Sequence, residues 1–359
     1  MEFTGGMTLI GGLTVTQYIP PPSNKAIFGY GQFNFGTNLS TTNLVSTTGV
    51  VATDTAGVGT ARVNPRAAGY GTDKAIFGYG DSGSATAITN KVSNTGVVAT
   101  DTAGVGTARS SLAAAGYGTD KAIFGYGYTT VGVSMTNLVS NTGVVGNDVT
   151  GVGTSRYNIA ASSYGTDKAL FGYGYSGPPS YITLSMTNLV SNTGVVGNDV
   201  TGVGTARMAL AAAGYSSDKA IFGYGNSGTT VSMTNLVSNT GVVATNTTGV
   251  GTVRSTLAAA RYDTDKAIFG YGAGPVSMTN KVSNTGVVAT DTTGVGTARG
   301  ELAAAGYGVG LAIFGYGTVT YSAYLSMTNL VSNTGVVATD TSGVGTGRWV
   351  LGASSYGLS

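Results

Sequence analysis

Apolar and polar positions along this chain recur in blocks. Lys74-Ala75-Ile76-Phe77-Gly78-Tyr79-Gly80 is a short apolar run opened by a charge and closed by glycine. It returns almost letter for letter at Lys25, Lys121, Lys168, Lys219 and Lys266, and again from Leu311 to Gly317, which makes seven copies. A fixed period of this kind over a whole chain is the mark of a repeat architecture. Each unit continues with a segment of changing length. Next comes a block such as Thr234-Asn235-Leu236-Val237-Ser238-Asn239-Thr240-Gly241-Val242-Val243, and the unit ends on runs such as Gly104-Val105-Gly106-Thr107-Ala108-Arg109 and Leu112 to Gly118. β-Branched and aromatic residues bounded by Gly, Asn or Asp predict a short strand for each part, four to a unit.

The spacing of the blocks narrows the architecture. From Asn90, Asn137, Asn188, Asn235 and Asn280 to the next Lys or Leu the distance is 31 residues every time. All variation lies between Gly-Tyr-Gly and Thr-Asn, where the segment lengths are 12, 10, 10, 14, 10, 8 and 12. Every value is even. Side chains alternate faces with period two, so an odd insertion would invert a strand, whereas a hairpin whose arms lengthen together keeps its faces. These segments are therefore expected to be hairpin ends on one rim. The last unit supplies Arg348 to Tyr356 but not the strand that should follow, and Lys25 to Gly31 is that strand at the other end of the chain. A closed ring in which the two ends complete one sheet accounts for this split, because closure removes the open strand edges.

Composition agrees with an all-β chain rich in tight turns. Charged residues are 9%, against about 25% in an average soluble domain, while hydrophobic residues are 42% and glycines number 60. A formal net charge of +2 offers no case for nucleic acid or an anionic membrane. No uncharged apolar run reaches the ~18 residues of a membrane span, and the N-terminus lacks the basic start of a secretory signal. There is no Cys and no His, so disulfides, zinc fingers, cysteine nucleophiles and histidine-based sites are excluded. No cofactor or metal is expected. Residues 1–24 lie outside the repeat, with an apolar β-prone stretch from Met7 to Tyr18 and the stiff Pro20-Pro21-Pro22. They are expected to form an arm, packed on the domain's own side or added to a partner's sheet edge, with a disordered tail as the remaining alternative.

Seven units of four strands indicate a β-propeller. Arg109 with Leu112 to Gly118, Lys121 and the apolar strand ending at Gly127 resembles the first two strands of a Kelch repeat, with Gly-Tyr-Gly in place of the Gly pair. The resemblance covers residues 25–359, although the Kelch fourth-strand Trp is missing and Trp349 sits elsewhere. It implies a seven-bladed propeller with the small-residue strand innermost. The near-identical units are also similar to uncharacterised repeat proteins of bacteriophages, including cyanophages. That similarity implies a virion or tail-appendage component that meets other virion proteins through the arm.

Most repeated polar residues read as scaffold. Arg62, Arg109, Arg156, Arg207, Arg254, Arg299 and Arg348 could ring a channel and hold an anion, but a repeated Arg more often bonds carbonyls or a neighbouring Asp. Asp73, Asp120, Asp167, Asp218 and Asp265 are turn formers. Asp54, Asp101, Asp148, Asp199, Asp291 and Asp340 recur in nearly every unit, whereas an active site breaks symmetry. Tyr30, Tyr79, Tyr126, Tyr173, Tyr224, Tyr271 and Tyr316 should pack between blades, with a ring of sugar platforms as the alternative. The variable segments carry the asymmetry. Their aromatic residues Phe33, Phe35, Tyr128, Tyr175, Tyr181, Tyr321 and Tyr324, set among Ser, Gly and Asn, have the composition of binding loops on a rigid scaffold.

The expectation is a non-enzymatic binding module of a virion appendage, using the loop rim for host-surface or protein contact. A lectin-like propeller with a sugar pocket in each blade is the alternative. Location is in the virion, or else cytoplasmic or secreted without a recognisable signal. Deleting roughly the final dozen residues should abolish folding, because Lys25 to Gly31 would lose its neighbour. A truncated chain that melts like the full one would refute this.

Overall fold

The structure, a computed structural model, describes residues 24–358 apart from 35 and 321. The expected N-terminal arm thus lies outside the described residues, save Asn24. All regular elements among those residues are strands. They form seven three-stranded antiparallel sheets and one two-stranded ribbon, Thr318–Thr320 with Ala323–Tyr324.

The third sheet shows how each is built. Ala113–Tyr117 pairs with Lys121–Tyr128, which pairs with Gly132–Val139. Phe124 faces Asn137 and Gly125 faces Thr136; the register then slips at Tyr126, and Gly127 faces Val133. Tyr126 stands at φ 62°, in the left-handed region that an aromatic residue rarely enters. This bulge carries the ring out of the ladder and into the fourth sheet. There it is fully buried, with its centre 5.2 Å from that of Phe171. The preceding Gly125 is dictated by the same contact: a Cβ there would lie 2.6 Å from Phe171 Cζ. Phe-Gly-Tyr-Gly is thus a packing motif between sheets. Tyr30 meets Phe77 in the same way, and Tyr316 meets Phe28.

The fourth strand of each unit is a correction to the sequence reading. After Gly132–Val139 the chain returns through only two bridges, Val139 with Val145 and Thr136 with Val149. Between them a side chain replaces the ladder. The Asn137 amide donates to Gly146 O (3.0 Å) and to Asp148 Oδ1 (3.0 Å), which holds this segment off the strand.

A buried cation joins neighbouring sheets. Arg109 is fully buried, with its guanidinium 4.2 Å over the Tyr79 ring of the second sheet. Its Nη2 donates to Asn137 Oδ1 of the third sheet (2.6 Å), Nε donates to Tyr126 O, and Nη1 donates to Thr107 O. Asp148 Oδ2 accepts from the Thr107 amide and hydroxyl. Arg348 repeats the arrangement over Tyr316 and donates to Asn43 Oδ1, a partner 305 residues away.

The two ends of the chain share a sheet. Asn24–Phe33 lies between Thr37–Val45 and Gly352–Leu358, with Phe28 opposite Ala353 and Lys25 opposite Tyr356. Small-residue strands of successive sheets lie side by side, and Gly352–Leu358 touches both Arg66–Tyr70 and Ala303–Tyr307. Turns between the first two strands are also tied together. Gly71 N donates to Asp120 O (2.6 Å), Gly118 N to Asp167 O and Gly165 N to Asp218 O, and the series continues through Ser216, Asp263 and Gly308 to Gly357 N, which donates to Asp73 O.

Two outcomes follow from the arginine unit. Asn137→Ala would strand the buried Arg109 charge and should cost about 3 kcal/mol, measured by urea unfolding. Desolvation raises the pKa of Asp54, Asp101, Asp148, Asp199, Asp291 and Asp340, but hydrogen bonds from Thr and Asn and the nearby Arg outweigh it and hold each carboxyl below its ordinary value. The stability they contribute is present above the unfolded-chain value near ~3.9 and is lost as pH falls through the lower folded values. The urea midpoint should therefore drop with acidification below about pH 4, with proton uptake on unfolding. A flat midpoint across that range would contradict the linkage.

Candidate functional site

Each variable segment joins two antiparallel neighbours of one sheet. The ladder runs on past the bulge as a longer hairpin in four units, as the even lengths predict, but stops at Gly78, Gly270 and Gly315 in the other three. Three-residue loops cap Asn24–Phe33 with Thr37–Val45, Lys121–Tyr128 with Gly132–Val139, and Lys219–Asn226 with Thr230–Val237. The two extra residues of the first unit, relative to the third, add one cross-strand pair, Phe33 with Thr37. Beside each hairpin runs the segment that follows the repeat Arg. Gln32 bridges Trp349, Tyr128 bridges Ser110, Tyr175 bridges Tyr157, and Asn226 bridges Met208.

These bridges gather aromatic rings into two groups. Tyr157 stands between Tyr128 (4.9 Å between centres) and Tyr175 (5.6 Å), and Tyr175 meets Tyr181 (6.4 Å). Tyr324 meets both Phe33 (5.8 Å) and Trp349 (6.3 Å). Tyr181 is 60% exposed and Phe33 37%; the others are half-buried. Five rim residues expected from the sequence, Phe33, Tyr128, Tyr175, Tyr181 and Tyr324, thus take part in ring contacts, while Phe35 and Tyr321 lie outside the described residues. Tyr157 and Trp349 were missed. Both follow a repeat Arg directly, and that position differs from unit to unit, which was the available signal.

Inside this face lies a funnel of about 580 Å³. Its mouth is ringed by the residue two past each repeat Arg: Asn64, Ser111, Asn158, Ala209, Thr256, Glu301 and Val350. None is glycine, yet all sit at φ between 46° and 53°. Backbone bonds between units hold them there. Thr256 N donates to Ala209 O, Glu301 N to Thr256 O, Val350 N to Glu301 O and Asn64 N to Val350 O. Below the mouth the alanines Ala114, Ala161 and Ala212 also wall a second cavity of about 350 Å³. That one shares Gly116, Ser163 and Ser355 with a third of about 320 Å³, bordered by Lys74 and Lys121.

The repeated polar residues stay outside this site. The seven arginines are fully buried between sheets and do not ring the passage as anion ligands. Nor do the seven Gly-Tyr-Gly tyrosines form sugar platforms, since each ring is fully buried. Burial pushes the Tyr126 hydroxyl up to about 12, against the lowering pull of Arg156, and it donates to Val152 O.

No protein-family model matches the chain, and no curated protein matches it. Solved structures do. The structure of YjhT aligns with a TM-score of 0.55 and 11% identity, over 78% of this chain and 97% of that one. A fungal alcohol oxidase of the AA5 family, in complex with copper, aligns with a TM-score of 0.59 and 13% identity, over 84% of this chain and 70% of the other. The fold is propeller-like. The expectation of a non-enzymatic protein is thereby corrected, because an architecture shared with a copper-bound oxidase gives no ground for setting catalysis aside. The copper itself does not carry over. Copper favours imidazole and thiolate ligands, whereas this chain has neither His nor Cys, and no group of three carboxylates forms among the described residues.

Proposed function

We propose that the seven sheets are the blades of one closed propeller, and that its hairpin face binds the surface of a partner, protein or glycan. Three observations support closure: Gly352–Leu358 pairs with Asn24–Phe33, Arg348 donates to Asn43, and Gly357 donates to Asp73. The reading of the face rests on one observation. Aromatic residues that differ between units, and that packing between sheets does not require, are gathered into two groups on the same face as the funnel. Rigid rings give contact area at low entropic cost.

This arrangement favours a single asymmetric surface over the lectin alternative of one pocket per blade. Each of the three cavities draws on several sheets, and the only aromatic ring repeated beside every Arg is buried. The wording of the repeats supports the narrower reading of a phage appendage protein, with the host surface as partner.

The test is binding of the full chain to a glycan array and to intact bacterial cells. Saturable binding should fall at least about tenfold in a Tyr175→Ala/Tyr181→Ala double variant, a loss typical of aromatic anchors, with its thermal melt retained. Binding that survives the double substitution, or that is absent on every surface tried, overturns the proposal.

A further inference from the structure

The funnel holds a charge pair that the repeat does not explain. Among the described residues lining it, only Arg66 and Glu301 are charged. Both break the repeat. The place of Arg66 is taken by Ala113, Ala160, Ala211, Ala258, Ala303 and Gly352 in the other units, and that of Glu301 by Asn, Ser, Ala, Thr or Val. In a chain with so few charges, two opposite ones in one cavity stand out from a scaffold that repeats nearly everything else.

The two charges do not neutralise each other directly. They feel each other's field, yet they form no ion pair. Arg66 spends its Nε on Leu112 O (2.7 Å), which fixes the stem and leaves both Nη groups without a hydrogen-bond partner among the described residues. Among the described residues the Glu301 carboxylate accepts no hydrogen bond, and burial pushes it above the ordinary carboxylate value against the pull of Arg66. The side chains of Asn64, Ser111 and Asn158 on the same wall also make no hydrogen bond among the described residues. Neither the Arg66 Nη groups nor the Glu301 oxygens are sealed from solvent, so both stay open to a ligand, and partial desolvation makes an opposite charge the favoured partner of each. A molecule carrying both opposite charges would satisfy both ends at once.

We propose that the funnel is a binding site for a small zwitterion of the α-amino acid class. Its carboxylate is received by the two Nη groups of Arg66, a geometry that suits a planar guanidinium. Its ammonium faces Glu301, and its side chain meets Asn64, Ser111 and Asn158. The volume leaves room for such a ligand with waters. Trp349 of one aromatic group also lines the funnel, but Tyr128, Tyr157, Tyr175 and Tyr181 of the other do not, so this site does not depend on that second group.

Calorimetric titration of the full chain with each of the free L-amino acids tests this. At least one should bind saturably with Kd below about 10 mM, while acetate and methylammonium, each carrying one charge, bind at least about tenfold more weakly. Arg66→Ala and Glu301→Asn install residues that other units already carry at those positions, so both variants should fold, as checked by thermal melting. Each should weaken binding at least about tenfold. Tyr175→Ala should leave it unchanged, which separates this site from the face. No binding by any amino acid, equal binding of acetate, or full binding in either folded charge variant overturns the proposal.

Discussion

A guanidinium clamped between two sheets is the interaction on which this architecture depends. Arg109 lies over Tyr79 of one sheet while its hydrogen bonds go to Asn137 and Tyr126 of the next. Burying a cation is unfavourable unless its donors are matched and its charge is compensated. Here the aromatic face, the Asn oxygen and a nearby Asp carboxylate supply that compensation, and Asp148 is itself tied to Thr107 of the incoming segment. Because an unmatched cation is so costly, the clamp sets how two sheets may sit against each other, which apolar contact alone specifies less sharply. The guanidinium–tyrosine contact recurs at all seven arginines, at 4.0 to 4.3 Å.

The clamp explains why so few residues can vary. Tyr must sit in a strained left-handed bulge to reach the Arg, so glycine has to stand on either side of it. One glycine makes way for the neighbouring Phe ring, and the other continues the bulge at positive φ. Asn must lie opposite Phe to receive the guanidinium, and in doing so it pushes the last segment off the ladder. The strain at Tyr is offset by full burial of its ring against the next sheet. Near-identity of the repeats is thus a consequence of geometry at each junction.

The positions outside that geometry are the ones free to carry the binding roles proposed above. Hairpin ends beyond the bulge, and the first two residues after each Arg, lie outside the Arg–Tyr–Asn clamp, and their identity differs from unit to unit. Those positions hold the aromatic groups and Glu301, while Arg66 opens the strand Arg66–Tyr70 beside the funnel. The funnel mouth is unusual in that its backbone is regular, with every residue left-handed and backbone bonds joining every adjacent pair but Asn64 and Ser111, while its side chains differ from unit to unit. A uniform backbone presenting non-uniform side chains is what a binding site on a symmetric scaffold requires.

Much of the architecture was legible in the chain alone. The seven copies, the constant spacing and the even segment lengths marked the sheets and hairpins, because strand faces alternate with period two and junctions repeat. The displaced strand at Lys25 marked the shared sheet for the same reason. What only the tertiary structure decided is which residues meet across units. The buried place of the arginines, the company of Tyr157 with Tyr175, and the meeting of Arg66 and Glu301 in one cavity depend on contacts between residues tens to hundreds of positions apart. A periodic pattern records how each segment relates to its own strand. It carries no information on which side chains from different units converge, since that depends on how the sheets are arranged in space.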